Sequence, residues 1–267
     1  MTEHTKGFAL ITGASAGIGA IYADRLAHRG YDLILVARRA DRLRAIAGRI
    51  TAETGRKVEI VIADLSDRAD LRRVEDILRN DTRISILVNN AGLGPVTPLL
   101  NSNVEAMSDV ITVNVDALMR LTYAAAPKFV ERGAGSIINM SSGVAIGPEM
   151  LNGVYGASKA FVLAFSQSLK HELADKGVRI QVVLPGVIAT DSWANNGMPV
   201  ENLPKEMVMS ADAMVDAALS GFDQGEFATA PSLVDKEQWD AFDRARQALF
   251  QNLSRSAPAA RYGVTTV

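Results

Sequence analysis

Residues 155 to 159 of the chain read YGASK, and two of those side chains can do chemistry together. If the stretch is helical, a spacing of four places Tyr155 and Lys159 on one face, one turn apart, where an ammonium can influence a phenol. A free tyrosine has a pKa of about 10, too high for acid–base work near neutral pH. A cation at short range favours the phenolate, and each unit of depression needs only about 1.4 kcal/mol of interaction. Such a pair can take up or release one proton at an oxygen. A tyrosine and a lysine four apart also occur by chance on solvated helices, so the surrounding elements have to decide between the two readings.

A second constellation lies near the N-terminus. The apolar run FALIT ends in TGASAGIG, with Gly13, Gly17 and Gly19, and helical spacing begins near Ile18. In a doubly wound sheet the turn after the first strand sits at the carboxyl edge, where a helix N-terminus offers free N–H groups to a pyrophosphate. Gly13 permits the tight turn, while Gly17 and Gly19 permit close backbone approach and helix packing. The pattern GxxxGxG differs from GxGxxG, so its place between a predicted strand and a predicted helix carries the dinucleotide reading. At the end of the second apolar run, where a carboxylate would hold the ribose 2'-hydroxyl of NAD, stand Ala37, Arg38 and Arg39. Guanidinium groups match a phosphate, and the missing acid removes the repulsion that would reject one. NADP(H) is therefore favoured over NAD(H), with Ser15 a further hydroxyl for the same phosphate. One arginine of the pair could equally be a solvated loop residue.

These side chains need a scaffold, and the chain supplies one in alternating segments. Apolar runs occur at 8–12, 32–37, 58–63, 84–89, 135–140 and 178–184, continuous rather than alternating, as strands covered on both faces are. Helical spacing occupies 18–29, 42–54, 67–80, 103–132 and 155–176 between them. Such alternation predicts an α/β fold, a doubly wound parallel sheet with helices on both faces. No Pro/Gly/Ser linker divides the chain, so one domain over 1–253 is expected, with a mobile tail over 254–267. After Pro185 the pattern loosens into a mixture of Gly, Pro, Asn and large apolar residues, read as a substrate flap at about 188–210. A strand at 226–230 and a helix at 235–253 close the domain.

Composition removes several function classes. With 28 basic and 30 acidic residues the formal net charge is -2, which provides no field to recruit nucleic acid or an anionic membrane. There is no cysteine, hence no disulfide, thiolate metal site or cysteine nucleophile. His4, His28 and His171 lack ligand-like spacing, so no metal is expected. No run of about twenty apolar residues exists to span a bilayer, and the first apolar run is too short for a signal-peptide core. The expected location is the cytoplasm.

Together, TGASAGIG (12–19), Asp64-Leu65, NNAG (89–92), Asn114, Ser142, YGASK (155–159) and PGVIAT (185–190) resemble the short-chain dehydrogenase/reductase family in its compact single-domain branch, spread over about two-thirds of the chain. The resemblance implies an oxidoreductase moving a hydride between a nicotinamide and a carbonyl or secondary-alcohol carbon. Tyr155 would be the acid/base, and Lys159 would hold the nicotinamide ribose and lower the tyrosine pKa. Ser142 would orient the substrate oxygen; Ser141 is the alternative hydroxyl, but Ser142 has the family's spacing of thirteen. Asn114 would support a proton-conducting water. On the cofactor, Asp64 and Leu65 would flank the adenine, and Asn90, Ala91 and Gly92 the adenosine-side ribose. Pro185, Gly186, Ile188 and Thr190 would line the nicotinamide end. Asp64 could instead cap a helix, and Asn89 and Gly92 could chiefly stabilise the turn after strand four. The resemblance also implies a homodimer or homotetramer. An NAD(H)-preferring dehydrogenase, a non-catalytic NADP(H)-binding regulator and a sugar-nucleotide epimerase or dehydratase are the competing readings. The substrate is expected to be a small carbonyl compound or alcohol. Leu93, Gly94, Ile146, Met150, Trp193, Met198 and Met207 are its candidate contacts, and their apolar character favours a hydrophobic ketone.

Overall fold

The protein is described here by a computed structural model covering residues 5–94, 97–190 and 199–264. Its strands are β1 (Phe8–Thr12), β2 (Asp32–Ala37), β3 (Val58–Ile62), β4 (Ile84–Asn89), β5 (Gly135–Met140), β6 (Val178–Val183), β7 (Val187–Ala189), β8 (Val208–Ser210) and β9 (Ala228–Thr229). Seven of them form one parallel sheet in the order β3-β2-β1-β4-β5-β6-β9. The order reverses between β1 and β4, which opens a crevice at their carboxyl ends.

The helices are α1 (Gly17–His28), α2 (Ala40–Thr54), α3 (Arg68–Asn80), α4 (Val104–Ile111), α5 (Leu118–Arg132), α6 (Gly153–Leu173), α7 (Ala211–Asp223) and α8 (Lys236–Phe250). β1 explains why the sheet is covered twice. Ala9 and Ile11 pack with Tyr22 and Leu26 of α1 and Met214 and Leu219 of α7. Phe8 and Leu10, on the opposite face, pack with Leu71 and Val74 of α3 and Leu121 and Phe129 of α5. A continuous apolar strand is thus required, and each large side chain so buried contributes roughly 1.5–3 kcal/mol.

Three departures from the expected elements bear on the site. The helix predicted over 103–132 is interrupted by a π-helical stretch at Thr112–Ala117, which contains Asn114. Within the expected flap, β7 and β8 pair in parallel, Val187 with Val208 through Ala189 with Ser210, so the two ends of the segment are stitched together. Residues 191–198 of that flap, with Trp193 and Met198, lie outside the described residues. α7 was not anticipated; Ser210 caps it by accepting from Ala213 N, and Met214, Val215, Ala218, Leu219 and Phe222 bury its inner face.

Contacts divide the chain into Met1–Pro231, which holds the whole sheet, and Ser232–Val267. The division falls ahead of the boundary expected at 253. In the second unit Asp235 caps α8, Trp239 packs against Phe242 with ring centres 5.5 Å apart, and no residue of α8 is buried. Among the described residues no helix is long and apolar enough to cross a membrane.

Candidate active site

A cleft of about 1270 Å³ lies over the carboxyl ends of the central strands. It brings together residues far apart in the chain: the glycine turn, Arg38 and Arg39, Asp64, the NNAG segment, Ser142, Tyr155 and Lys159, and the 185–190 segment. Of the predicted site residues, Gly19 and Asn114 do not line it; both are buried behind its wall.

At one end, the first turn of α1 has neither a capping side chain nor an acidic residue, leaving its N–H groups to an anion. Gly13 and Gly17 take φ of +68° and +51°. A Cβ on Gly13 would come within 2.8 Å of Asn90 Nδ2, and one on Gly19 within 2.4 Å of the Gly13 carbonyl oxygen, so any side chain would break the turn. Thr12 fastens the turn to the next strand: its hydroxyl accepts from Asn90 N and Ala91 N and donates to Val88 O. A Cβ on Gly17 would lie 3.4 Å from Thr190 Cγ2, so Thr190 faces the same turn.

The two arginines separate. Arg39, the residue preceding α2, directs Nε and Nη2 to Ser15 Oγ at 3.4 Å each. The Arg38 side chain is 68% exposed and pairs with Asp64, at 3.7 Å. Asp64 does not cap α3; Asp67 does, accepting from Ala69 N and Asp70 N. Burial would raise the Asp64 carboxyl, but bonds from the Ser66 hydroxyl and N–H, with Arg38 nearby, outweigh it and hold the pKa low. Asn89 is a buried strut, donating to Thr122 Oγ1 and Asn139 Oδ1.

The residues expected to be catalytic, Ser142, Tyr155 and Lys159, line the rest of the cleft. Asn152, buried at 4% exposure, caps α6 by accepting from Val154 N and Tyr155 N, and donates to Thr97 O at 2.6 Å. It was not among the predicted residues, although Asn three positions ahead of Tyr155 is a readable helix-start signal. Gly156 allows α6 to lie against the 148 turn, since a Cβ there would meet Pro148 Cα at 2.9 Å. Lys159 is buried, donating from Nζ to Met140 O at 3.0 Å, while Ser141 Oγ donates to Lys159 O at 2.8 Å. Strand β5 and helix α6 are thereby clamped at the lysine, and Ser141 is occupied in that clamp. Asn114 donates to Leu93 O and Ser158 Oγ and accepts from Leu93 N, which accounts for the π-helical stretch that turns it inward.

Burial raises the Tyr155 pKa even though the residue lines the cleft, and the neighbouring Ser142 hydroxyl pulls in the opposite direction. Burial also lowers Lys159, to about 8. The protein's own groups therefore do not produce the depressed tyrosine expected from the spacing: the lysine lies 5.8 Å from the ring centre and spends a proton on Met140 O. Ser142 lines the cleft together with Tyr155, and its hydroxyl is the one that acts on the phenol. Leu93, Gly94 and Met150 of the expected substrate contacts line the cleft, whereas Ile146 and Met207 do not. Val144 and residues of α4, including Val110, complete the apolar wall and were not anticipated.

This geometry has counterparts among known proteins. The short chain dehydrogenase family model matches residues 7–199. A short-chain dehydrogenase from Sphingobium yanoikuyae, solved in complex with NADPH, is 47% identical and superposes with a TM-score of 0.92 over 95% of this chain and 98% of that one. A bulky-bulky ketone specific alcohol dehydrogenase from Comamonas testosteroni is 41% identical, with a TM-score of 0.90 over 97% and 99% of the two chains. Human 17-beta-hydroxysteroid dehydrogenase type 3 is 39% identical over 186 residues, 68% of this chain but 59% of that protein. The chain thus spans under two-thirds of the length of such curated relatives. With the family match covering most of the chain and the glycine turn, the serine, the tyrosine and the lysine meeting in one cleft, the protein belongs to the short-chain dehydrogenase/reductase family.

Proposed function

We propose that the protein is an NADP(H)-dependent reductase of bulky, apolar ketones, running in reverse as a secondary-alcohol dehydrogenase. The observation that carries this reading is the convergence of Ser142, Tyr155 and the buried Lys159 in one largely apolar cleft, the lysine nitrogen 5.8 Å from the centre of the phenol ring. NADP(H), when bound, supplies or accepts the hydride. The chain's residues do the rest. Ser142 holds the carbonyl oxygen beside the phenol, Tyr155 protonates that oxygen as the carbon becomes a carbinol, and Lys159 binds the ribose hydroxyls and keeps a positive charge near the phenolate left behind. Asn114 fixes Leu93 and Ser158 around the lysine.

The cofactor choice follows from the strand-two end. Arg39 aimed at Ser15 forms a cationic pocket with a hydroxyl, with Ala37 where a ribose-binding acid would stand, and this supports a 2'-phosphate. The NADPH bound by the Sphingobium relative supports the same choice, and the Comamonas relative's specificity supports a ketone with two large substituents. Tyr123 stacks on Phe165, which stacks on Phe161, with Tyr123 itself 68% exposed; this aromatic face of α5 and α6 supports a homodimer or homotetramer. The test is nicotinamide absorbance in the presence of aryl ketones. Stoichiometric NADPH consumption with little NADH consumption is expected; consumption of neither cofactor with any ketone or secondary alcohol contradicts the reading.

A further inference from the structure

Gly94 differs from the other glycines of the cleft. Gly13 and Gly17 need glycine for their left-handed backbone, and Gly19 and Gly156 need it because backbone or proline atoms occupy the space of a Cβ. Gly94 has neither reason: it is not among the positive-φ glycines, and among the described residues no atom comes closer than ordinary contact to where its Cβ would be. The three atoms nearest that point all belong to Tyr155: Cε2 at 3.6 Å, Cζ at 3.7 Å and the hydroxyl oxygen at 3.9 Å. A side chain at 94 would therefore start in van der Waals contact with the acid/base itself.

We propose that Gly94 is a specificity-determining residue, whose lack of a side chain makes room beside the Tyr155 hydroxyl for the second large substituent of a ketone. The proposal rests on the reading of Tyr155 as the proton donor. A carbonyl oxygen hydrogen-bonded to the phenol lies roughly 2.6–3.2 Å from it, and the carbonyl's substituents spread from there into van der Waals range of position 94. A side chain at 94 could not easily swing away. The preceding residue is held at both ends, Leu93 N donating to Asn114 Oδ1 and Leu93 O accepting from Asn114 Nδ2, each at 2.8 Å. Elsewhere the apolar wall includes Met150, an unbranched and adaptable side chain that is 73% exposed, so it can yield to a substituent where position 94 cannot.

The experiment compares wild type, Gly94→Ala and Gly94→Val on acetophenone, which has one small substituent, and on valerophenone and benzophenone, which have two large ones. NADPH affinity and thermal midpoint are measured in parallel. For Gly94→Val, kcat/KM on the two-sided ketones is expected to fall by about 10–200-fold, the range available to steric discrimination in an apolar pocket, with acetophenone affected less than threefold and NADPH affinity unchanged. Gly94→Ala should show the same ordering with a smaller ratio. An equal fall for every ketone, or no change in the ratio for either variant, overturns the proposal while leaving the assignment of Tyr155 intact. A wild-type protein that turns over acetophenone but neither large ketone also overturns it, and one inert on all three removes the function reading with it.

Discussion

At Gly19 a methyl group would press to within 2.4 Å of a carbonyl oxygen, whereas at Gly94 it would rest 3.6 Å from the tyrosine ring, in ordinary contact. Gly19 is buried behind the wall at one end of the cleft and Gly94 lines it beside Tyr155, and they represent two ways of building a binding site. The cofactor end is made from backbone: a left-handed turn, a helix start without a capping side chain, and a threonine stitching β1 to β4. It has one permitted shape. The substrate end is walled by side chains and by the absence of one, and can change size without disturbing the sheet. On the proposed reading, the cofactor end would tolerate little change while the substrate end could vary.

The largest expected effect separates chemistry from binding. Tyr155→Phe should lower kcat by roughly 10²–10⁴-fold, the usual contribution of a positioned acid/base, while NADPH affinity measured by fluorescence titration stays within a few-fold. Activity within a few-fold of wild type would remove Tyr155 from its role. Next, Arg39→Ala should weaken NADPH binding by about 10–100-fold, the loss of a charged hydrogen-bond partner worth roughly 1.5–3 kcal/mol, and leave NADH binding unchanged. Arg38→Ala should do less, because Arg38 is mostly solvated and turned to Asp64. Equal losses for both cofactors would contradict the phosphate pocket.

Gly19→Ala sharpens the contrast in the stability dimension. Forcing a methyl into closed backbone should cost about 1–3 kcal/mol and lower the thermal midpoint by several degrees, whereas Gly94→Ala should change it little. Similar midpoints for the two variants would erase the distinction between the ends of the cleft. The smallest effect concerns pH. Burial puts Lys159 at about 8 in the folded protein, below its ordinary 10.5. Between those values the unfolded chain binds more protons, so this group's contribution to stability improves as pH rises through that window, and the cost of the buried charge is fully present below it. Lys159→Met should therefore melt above wild type at pH 7, with the gap narrowing towards pH 10. A gap independent of pH would contradict this assignment.

The sheet was legible because fully buried strands are continuous apolar runs: the predicted starts of β1 to β6 coincide with those in the structure, and β3 and β6 each end one residue earlier than expected. That the glycine turn, Ser142, Tyr155 and Lys159 would converge was legible because each follows or faces one of those strands, and all four line one cleft. Other features depend on partners far along the chain. The π-helical stretch has ordinary helical composition, and only the bonds from Asn114 to Leu93 and Ser158 mark it. β7 and β8 have three residues each, too few for a period, and α7 was obscured by the Pro- and Gly-containing segment before it, although Ser210 and its Met214–Ala218–Phe222 spacing were available. Arg38 and Arg39 are chemically identical in sequence; folding turned one to Asp64 and the other to Ser15. Spacing alone suggested a lysine that acidifies the tyrosine, but the desolvation that accompanies burial acts on both groups and opposes it.

The central claim is that this cleft transfers hydride from NADPH to a ketone carbon. Its most direct measurement uses NADPH deuterated at nicotinamide C4 with the wild-type protein and valerophenone, the product alcohol being analysed by mass spectrometry and NMR. The account predicts deuterium on the carbinol carbon in proportion to NADPH consumed. Alcohol formed without label, or no alcohol from any ketone while NADPH still binds, would contradict it.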